Sequence, residues 1–183
     1  KEFYKLASLK GQKNIEAIAI SSFRRSSNEV DSRFVNLKEI KEDKWIFYSN
    51  YNSEKSKDFA EHKQVSVLIF WRKINLQIRI KANIFKLSDS LSDEHFEKRS
   101  KYKNALAISS NQSQQINSYQ KVIEKYEDTL LNDKLISKRP SYWGGFYFIP
   151  FSFEFWEGME HRLNKRTKFS IDEDGWKKVF LQP

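Results

Sequence analysis

The sequence predicts a mainly β (α+β) fold, an antiparallel β-barrel with peripheral helices. The clearest observation is the strict exchange of apolar and polar residues along Ile74–Lys86, which is typical of a half-buried strand. A second is that short polar turns separate most neighbouring strand candidates, which favours antiparallel pairing over βαβ units. A third is that the strand candidates flank a helical middle segment.

The strand candidates divide into five before the helical middle and four after it. Ile15–Ser21 is the least distinct of them and leaves a helix as an alternative, and the polar stretch FRRSSNEVD (23–31) is predicted to be a hairpin connection. The candidates in chain order are Ile15–Ser21, Arg33–Ile40, Lys44–Ser49, Gln64–Trp71, Ile74–Lys86, Trp143–Ile149, Phe151–Trp156, Lys165–Ile171 and Trp176–Leu181.

Three serines are predicted to begin helices. Ser53 follows a polar Tyr-Asn pair and precedes a short helix that ends near His62. Ser88 is predicted to cap a helix running to about Ser100, and Ser118 a helix with one apolar face. The intervening stretch 102–115 is predicted to be a polar loop or a short helical turn.

Composition indicates a globular protein with an anionic partner. The chain has 183 residues, of which 39% are hydrophobic, so we expect one domain over residues 1–183. Its formal net charge of +9 suggests that it binds nucleic acid or a phosphorylated ligand. It has no cysteine, no apolar stretch of membrane-spanning length and no visible signal peptide, which fits a cytoplasmic protein. Because it starts at Lys1 rather than Met, we expect the native N-terminus to be incomplete.

The residue pattern alone suggests one phosphate site and little acid–base chemistry. Ser53 and Lys55 stand at a predicted helix N-terminus, where free N–H groups favour a phosphate, although Ser53 can equally be only a cap. Arg33 and Lys38 are expected on opposite faces of a strand unless a bulge or the strand end intervenes. The three histidines lack metal-ligand spacing, so we expect no metal site, and any catalysis is expected to depend on a cofactor.

Seven motifs in order resemble the pyridoxamine 5′-phosphate oxidase family, and the likeness runs from Ile15 to Pro183. The most specific are RPSYWGGF (139–146) and FEFWEGMEHRLNKR (153–166). The others are SRFVNLK (32–38), FYSNYNSEKSKDFAE (47–61), VSVLIFW (65–71), LQIRIKANIFKLS (76–88) and NQS (111–113), and DGWKKVFLQP (174–183) is similar to the family's closing strand.

The resemblance implies an FMN-binding split β-barrel that forms a homodimer, with FMN in clefts at the subunit interface. It implies oxidation of pyridoxamine or pyridoxine 5′-phosphate to pyridoxal 5′-phosphate, in vitamin B6 metabolism. In that reaction a hydride passes from the substrate to the flavin, and O2 then reoxidises the flavin and gives H2O2.

Most cofactor-binding positions of the family are kept in this chain. One departs, because the family's usual Arg after Ser53 is Glu54, and a carboxylate that points at the phosphate would weaken FMN binding. The matching positions are Arg33, Phe34, Val35, Lys38, Tyr48, Ser49, Ser53, Lys55, Gln77, Gln112, Ser113, Trp156 and Arg166.

The substrate-binding positions are less well kept. The resemblance assigns the catalytic role of orienting the substrate to Arg162, and gives the substrate set Lys38, His95, Arg99, Lys103, Arg162 and Asn164. His95 stands for a family Tyr, Lys103 for a Ser and Asn164 for a His, and Lys165 follows where the family has Asp.

These departures keep other functions open. One is a diverged split-barrel flavoprotein oxidoreductase with another anionic substrate. Another is a non-catalytic protein that binds FMN or pyridoxal phosphate. Nucleic-acid binding ranks last, because the positive charge comes without a recognised motif or a basic stripe with regular aromatic interleaving.

Overall fold

The computed structural model describes all of residues 1–183, which form nine strands and six α-helices. The strands are β1 Ala17–Arg24, β2 Glu29–Asn36, β3 Glu39–Lys41, β4 Lys44–Asn50, β5 Gln64–Trp71, β6 Leu76–Lys86, β7 Trp143–Glu157, β8 Lys165–Asp172 and β9 Gly175–Leu181. The helices are α1 Glu2–Leu9, α2 Glu54–Glu61, α3 Asp89–Glu97, α4 Lys101–Ser109, α5 Tyr119–Leu130 and α6 Asp133–Ile136. Single 3₁₀ turns occur at Arg72–Ile74 and Glu160–Arg162.

The strands form one antiparallel sheet in the order β2-β1-β5-β6-β7-β4-β3, with β8 on β7 and β9 on β8. The long strand β7 pairs with β4 through its first half and with β8 through its second half. The chain just after β2 closes the sheet into a barrel, because Leu37 N donates to Glu16 O at 2.9 Å and Lys38 N to Ile46 O at 2.8 Å. The predicted antiparallel barrel with peripheral helices is confirmed.

The barrel interior is filled by the apolar faces of the central strands. Leu76, Ile78, Ile80, Ala82 and Ile84 of β6 are all buried, as the period-two pattern predicts. Burying a large aliphatic side chain contributes roughly 1.5–3 kcal/mol, so this row is a main source of stability. The outward residues of the same strand stay polar, which leaves the outer surface to carry the functional groups.

The first hairpin differs from the prediction. Strand β1 continues to Arg24 and β2 begins at Glu29, so most of the stretch predicted to be a connection is paired strand. The turn is short because Asn28 adopts a left-handed conformation (φ 58°), which asparagine tolerates better than most residues. Strand β2 then ends at Asn36, and Lys38 lies beyond the strand end rather than on it.

Two further segments differ from their predictions. Strand β7 is continuous through Pro150, because a β-bulge opposite Lys81 and Ala82 accommodates the missing N–H. The first half of the stretch 102–115, predicted to be a polar loop or a short helical turn, belongs to the longer helix α4, which buries Ala105 and Ala107. The helices α1 and α6 have no counterpart in the prediction.

Candidate functional site

The buried carboxylate of Asp58 contacts two arginines near the start of α2. Asp58 is 1% exposed; its Oδ2 accepts from Ser22 Oγ at 2.6 Å and its Oδ1 from Arg24 Nε at 2.8 Å. Arg33 NH2 lies 3.4 Å from Asp58 Oδ2. Burial raises the pKa of Asp58, but these hydrogen bonds and charges outweigh it and hold the pKa below its ordinary value. Asp58 therefore stays ionised and orients Arg33 at the entry to α2.

A buried lysine without a carboxylate partner lies next to this network. Lys55 is 7% exposed, and its Nζ donates to Ser53 Oγ at 2.9 Å. Burial, followed by the charge of Arg33, lowers the pKa of Lys55 to about 8. Ser53 precedes the helix as predicted, but its Oγ donates to Asn50 O and caps no helical N–H. The N–H groups of Ser56 and Lys57 donate to Ser53 O, which leaves the N–H groups of Glu54 and Lys55 and the ammonium of Lys55 available to an anion.

Glu54, the departure at this site, is turned away from Lys55. Its carboxylate lies 2.7 Å from the guanidinium of Arg24 and 2.7 Å from the ammonium of Lys57. Hydrogen bonds from Lys57 and Arg24 lower the pKa of Glu54. The expected conflict between Glu54 and a phosphate is thus relieved by two cations.

An aromatic stack forms the second part of the site. The imidazole of His95 on α3 stacks on the ring of Tyr48 on β4, with centroids 3.6 Å apart and planes 6° apart. Tyr48 stacks in turn on Trp143 at 5.5 Å, and the guanidinium of Arg99 lies 4.2 Å above the Trp143 ring. Burial raises the pKa of Tyr48 to about 12, so its hydroxyl stays protonated.

The stack lies in a positive environment. Burial, followed by the charges of Arg99, Lys38, Lys98 and Lys103, lowers the pKa of His95 to about 4. Burial also lowers the pKa of Arg99 to about 10, and its NH1 donates to Asn104 Oδ1 at 3.2 Å. The sequence-predicted substrate residues Lys38, His95, Arg99 and Lys103 are thus brought together.

A polar cavity adjoins Ser49, next to Tyr48 on β4. It has a volume of about 240 Å³ and is lined mainly by amide side chains. Ser49 Oγ donates to Gln112 Oε1 at 3.5 Å, and Ser113 follows in a left-handed conformation (φ 72°). The lining residues are Asn50, Asn52, Asn111, Gln112, Gln114 and Tyr142.

A separate group of predicted residues lies in one row across three strands. Gln77 on β6 pairs with Trp156 on β7, and Trp156 pairs with Arg166 on β8. Arg166 donates through Nε and NH2 to Glu154 Oε1, at 3.0 and 2.8 Å, and through NH1 to Gln182 O at 3.0 Å. The guanidinium of Arg166 is therefore held in place by its own chain.

The loop after β7 carries Arg162 and Asn164. His161 and Arg162 are both left-handed, with φ of 54° and 61°. Such a conformation costs roughly 1–2 kcal/mol per non-glycine residue, and strain of this kind concentrates at functional sites. Asn164 Oδ1 accepts from Met159 N at 3.1 Å and steadies the loop.

The two groups of predicted residues lie towards opposite ends of β7. Tyr48 pairs with Gly145 near its start, and Trp156 is near its end. The intervening chain spans roughly 36 Å at the usual strand rise. The predicted residues therefore form two separate groups, which we call half-sites. The first half-site surrounds Lys55, Arg33 and the aromatic stack, and the second surrounds Trp156 and Arg162.

The outer face beside Trp156 is exposed and apolar. Phe70 pairs with Gln77 in the row of Trp156, and Leu68 lies one row further along the same face. Phe34 continues the Leu68 row through Ala19. Phe34, Leu68 and Phe70 are 76%, 41% and 53% exposed. Val35, by contrast, packs against the barrel core, which leaves only its backbone to a ligand.

Comparison with protein families now identifies the chain. Residues 13–128 match the family model described as pyridoxamine 5′-phosphate oxidase. Residues 143–183 match the model described as the pyridoxine 5′-phosphate oxidase C-terminal dimerisation region. The chain belongs to the pyridoxamine 5′-phosphate oxidase family. As a member of this family it is an oxidoreductase-type enzyme, whose substrate is a separate question.

Curated relatives support the assignment along most of the chain. The pyridoxine/pyridoxamine 5′-phosphate oxidase of Flavobacterium psychrophilum is 33% identical over 182 residues, which cover 98% of this chain and 84% of that protein. The oxidase of the same name from Christiangramia forsetii is 35% identical over 176 residues, covering 93% and 81%. That of Neisseria meningitidis serogroup C is 33% identical over 153 residues, covering 84% and 73%.

Solved structures of the family have the same fold. PhzG from Burkholderia lata, in complex with tetrahydrophenazine-1-carboxylic acid, is 25% identical with a TM-score of 0.93, covering 100% of this chain and 89% of that one. An FMN-binding protein related to pyridoxamine 5′-phosphate oxidase, from Nostoc punctiforme, has a TM-score of 0.82 at 9% identity, covering 100% and 96%, and shows the fold alone. No helix of the chain is long and apolar enough to cross a membrane.

Three residues of the first half-site, Ser22, Arg24 and Asp58, are not predicted from the sequence. Ser22 lies just beyond the predicted strand Ile15–Ser21, and Arg24 lies in the stretch 23–31 predicted to be a connection, whereas both belong to β1. A signal for Asp58 was present, since Glu54 and Asp58 are an acidic i, i+4 pair at the start of a helix predicted to bind an anion. Such a pair needs cations nearby, and Arg24 is one of them.

Proposed function

We propose that the chain is an FMN-dependent oxidase that converts pyridoxamine or pyridoxine 5′-phosphate to pyridoxal 5′-phosphate with O2. The observation that carries this proposal is a pair of cationic sites, one beside the start of α2 and the other beside the stack of Tyr48 and His95. One lies at Lys55 and Arg33, and the other at Arg99 with its neighbouring lysines. Two phosphorylated molecules, a flavin nucleotide and a B6 phosphate, fit such a pair.

The residues of the first half-site fit the phosphate of FMN. Lys55 is a buried ammonium without a carboxylate partner, and Arg33 is oriented by Asp58. Gln112 beside Ser49 offers an amide that can both donate and accept hydrogen bonds to polar flavin groups. Bound FMN would supply the hydride acceptor, and O2 would reoxidise the reduced flavin.

The second cationic site fits the phosphate of the substrate. Arg99 provides a fixed guanidinium held by Asn104 and Trp143, and Lys38 and Lys103 add flexible charges. His95 is neutral at neutral pH and offers a nitrogen for hydrogen bonding above the Tyr48 ring. Arg162 and Asn164 would then orient the substrate, as positions that match the family's substrate residues.

We also propose that residues 1–183 form a single domain that assembles as a homodimer with FMN at the interface. The two half-sites lie at opposite ends of β7, so a second copy is needed to bring Trp156 and Arg162 beside Lys55. The exposed apolar face of Phe34, Leu68 and Phe70 supplies a surface for that contact. The match of residues 143–183 to a dimerisation region supports the same assembly.

The test is an anaerobic titration of the FMN-loaded protein with pyridoxine 5′-phosphate, followed through the flavin absorption band. We expect the band to bleach and to return in air with formation of pyridoxal phosphate. A band that stays oxidised at saturating substrate would contradict the proposed oxidase. Non-phosphorylated pyridoxine is the matched control, because it lacks the anion that Arg99 is proposed to bind.

A second candidate is oxidation of a different anionic substrate. It is favoured by the likeness to PhzG over the whole chain, since that structure is a complex with a carboxylic acid, tetrahydrophenazine-1-carboxylic acid. The altered residues His95, Lys103 and Asn164 all fall in the substrate set. Bleaching of the flavin by a reduced aromatic carboxylic acid, and not by pyridoxine 5′-phosphate, would select this candidate.

A further inference from the structure

A guanidinium from β1 reaches the acidic side of the α2 N-terminus. Arg24 NH2 lies 2.7 Å from Glu54 Oε2, and Arg24 Nε donates to Asp58 Oδ1 at 2.8 Å. The same NH2 lies 3.4 Å from the backbone oxygen of Glu54. Arg24 therefore contacts both carboxylates that α2 presents beside Lys55.

The charge of this cluster depends on Arg24. Its members are joined by ion pairs or by mutual electrostatic effects, and they comprise the four cations Arg24, Arg33, Lys55 and Lys57 and the three carboxylates Asp31, Glu54 and Asp58. With Arg24 the cluster has one net positive charge, and without it the cluster is neutral. Because a phosphate carries up to two negative charges, the cluster has a net attraction for it with Arg24 present and loses that net attraction without Arg24.

Arg24 also takes part of the carboxylate contacts that the other cations of the cluster would otherwise make alone. Arg33 shares Asp58 with Arg24, and Lys57 shares Glu54 with it. If Arg24 were absent, Glu54 would keep Lys57 but lose its guanidinium partner, and its negative charge would be less fully compensated one residue away from Lys55. A carboxylate next to the anion site opposes phosphate binding.

We propose that Arg24 is a positioning residue of the FMN phosphate site, which neutralises Glu54 and shares Asp58 with Arg33 so that Lys55 is left to the phosphate. The proposal rests on the proposed function, because it assumes that FMN binds at the start of α2. It adds a residue from β1 that no motif of the sequence singled out, and it explains how Glu54 is compatible with an anion site.

The experiment measures the affinity of the full chain, freed of flavin, for FMN and for riboflavin, which lacks the phosphate. We expect Arg24→Ala to weaken FMN binding roughly tenfold and to leave riboflavin binding unchanged, since only the phosphate senses the lost charge. The double variant Arg24→Ala, Glu54→Gln should return FMN affinity to within about threefold of the wild type, because it also removes the carboxylate that lost Arg24 as a partner.

The matched control is Arg25→Ala, which removes the same charge from the neighbouring residue. The Arg25 guanidinium points to His62, with NH2 and Nδ1 3.5 Å apart, and makes no contact with Glu54 or Asp58. An equal loss of FMN and riboflavin binding, no loss in Arg24→Ala, or a double variant as weak as the single one would each overturn the role of Arg24. A wild-type chain that binds no FMN would instead overturn the proposed function together with this role.

Discussion

His95 stacks face to face on Tyr48, with ring centroids 3.6 Å apart and planes inclined by 6°. This contact joins α3 to the barrel strand β4 and fixes the imidazole among cationic side chains. His95 thereby packs as an uncharged aromatic residue while keeping one ring N–H that can donate to an anion. Its pKa, its packing and its proposed role in substrate binding are linked through this one position.

The stability of the protein should fall as the pH decreases from about 6.5 to about 4. The folded pKa of His95 is lowered to about 4 by burial and nearby cations, whereas the unfolded value is near 6.5. The unfolded chain therefore binds the proton more readily in this range, and each step towards lower pH favours unfolding. The variant His95→Phe keeps an aromatic ring in the stack and should show a shallower decline.

Thermal or urea unfolding between pH 4 and 7 would measure this effect. His62→Phe is the control, because it removes an imidazole that lies outside the Tyr48 stack and makes an edge contact with Phe23. An unaltered pH dependence in His95→Phe would contradict the assignment of the decline to His95.

Lys55→Met should stabilise the chain in the absence of flavin while weakening FMN binding. A buried ammonium without a carboxylate partner costs free energy, and its lowered pKa of about 8 reflects that cost. We expect a gain of about 1–2 kcal/mol in urea unfolding at pH 7 and at least a tenfold loss of FMN affinity. Lys5→Met, at an exposed position on α1, is the control. A variant that loses stability and keeps FMN would contradict both expectations.

The affinity of the wild type for FMN should also fall above about pH 8. Below this pH the ammonium of Lys55 is charged and attracts the phosphate, and above it the neutral amine does not. Equilibrium titrations from pH 6.5 to 9.5 would show the decline, and riboflavin should not show it. Equal pH profiles for the two flavins would remove Lys55 from the phosphate site.

Two inactive variants should restore activity to each other if the site is shared between subunits. Lys55→Ala damages the first half-site and Arg162→Ala the second. A mixed dimer would contain one intact site and one doubly damaged site. Random reassociation of equal amounts should therefore return about a quarter of wild-type activity. Mixed samples with no more activity than the separate variants would contradict a site formed by two copies.

Arg162→Ala should separate cofactor binding from chemistry. Arg162 lies on the strained loop after β7, away from the Lys55 site of its own chain, so FMN affinity should stay within about threefold. The rate of flavin reduction by substrate should fall at least about a hundredfold, since the substrate loses its orienting guanidinium. Stopped-flow reduction would measure this, with Lys165→Ala at the start of β8 as control. Unchanged reduction would remove Arg162 from the site.

Local patterns account for much of what the sequence revealed. The alternation along β6 predicted a half-buried strand because residues two apart share one face, and Ser53 marked the beginning of α2. The ordered motifs identified the family before any geometry was known. Prediction was wrong where a local signal conflicted with packing, as at Pro150, where a bulge lets β7 continue through a residue that normally ends a strand.

The sequence by itself determined the strand periodicity, the start of α2 and the family. Tertiary structure alone decided which charges meet. Arg24 reaches Glu54 and Asp58, which follow it by 30 and 34 positions in the chain. Tyr48 of β4 pairs with the start of β7, whereas Trp156 lies near the end of β7. The physical reason is that periodicity is set by neighbouring residues, whereas ion pairs and half-sites depend on how distant strands are paired in the barrel.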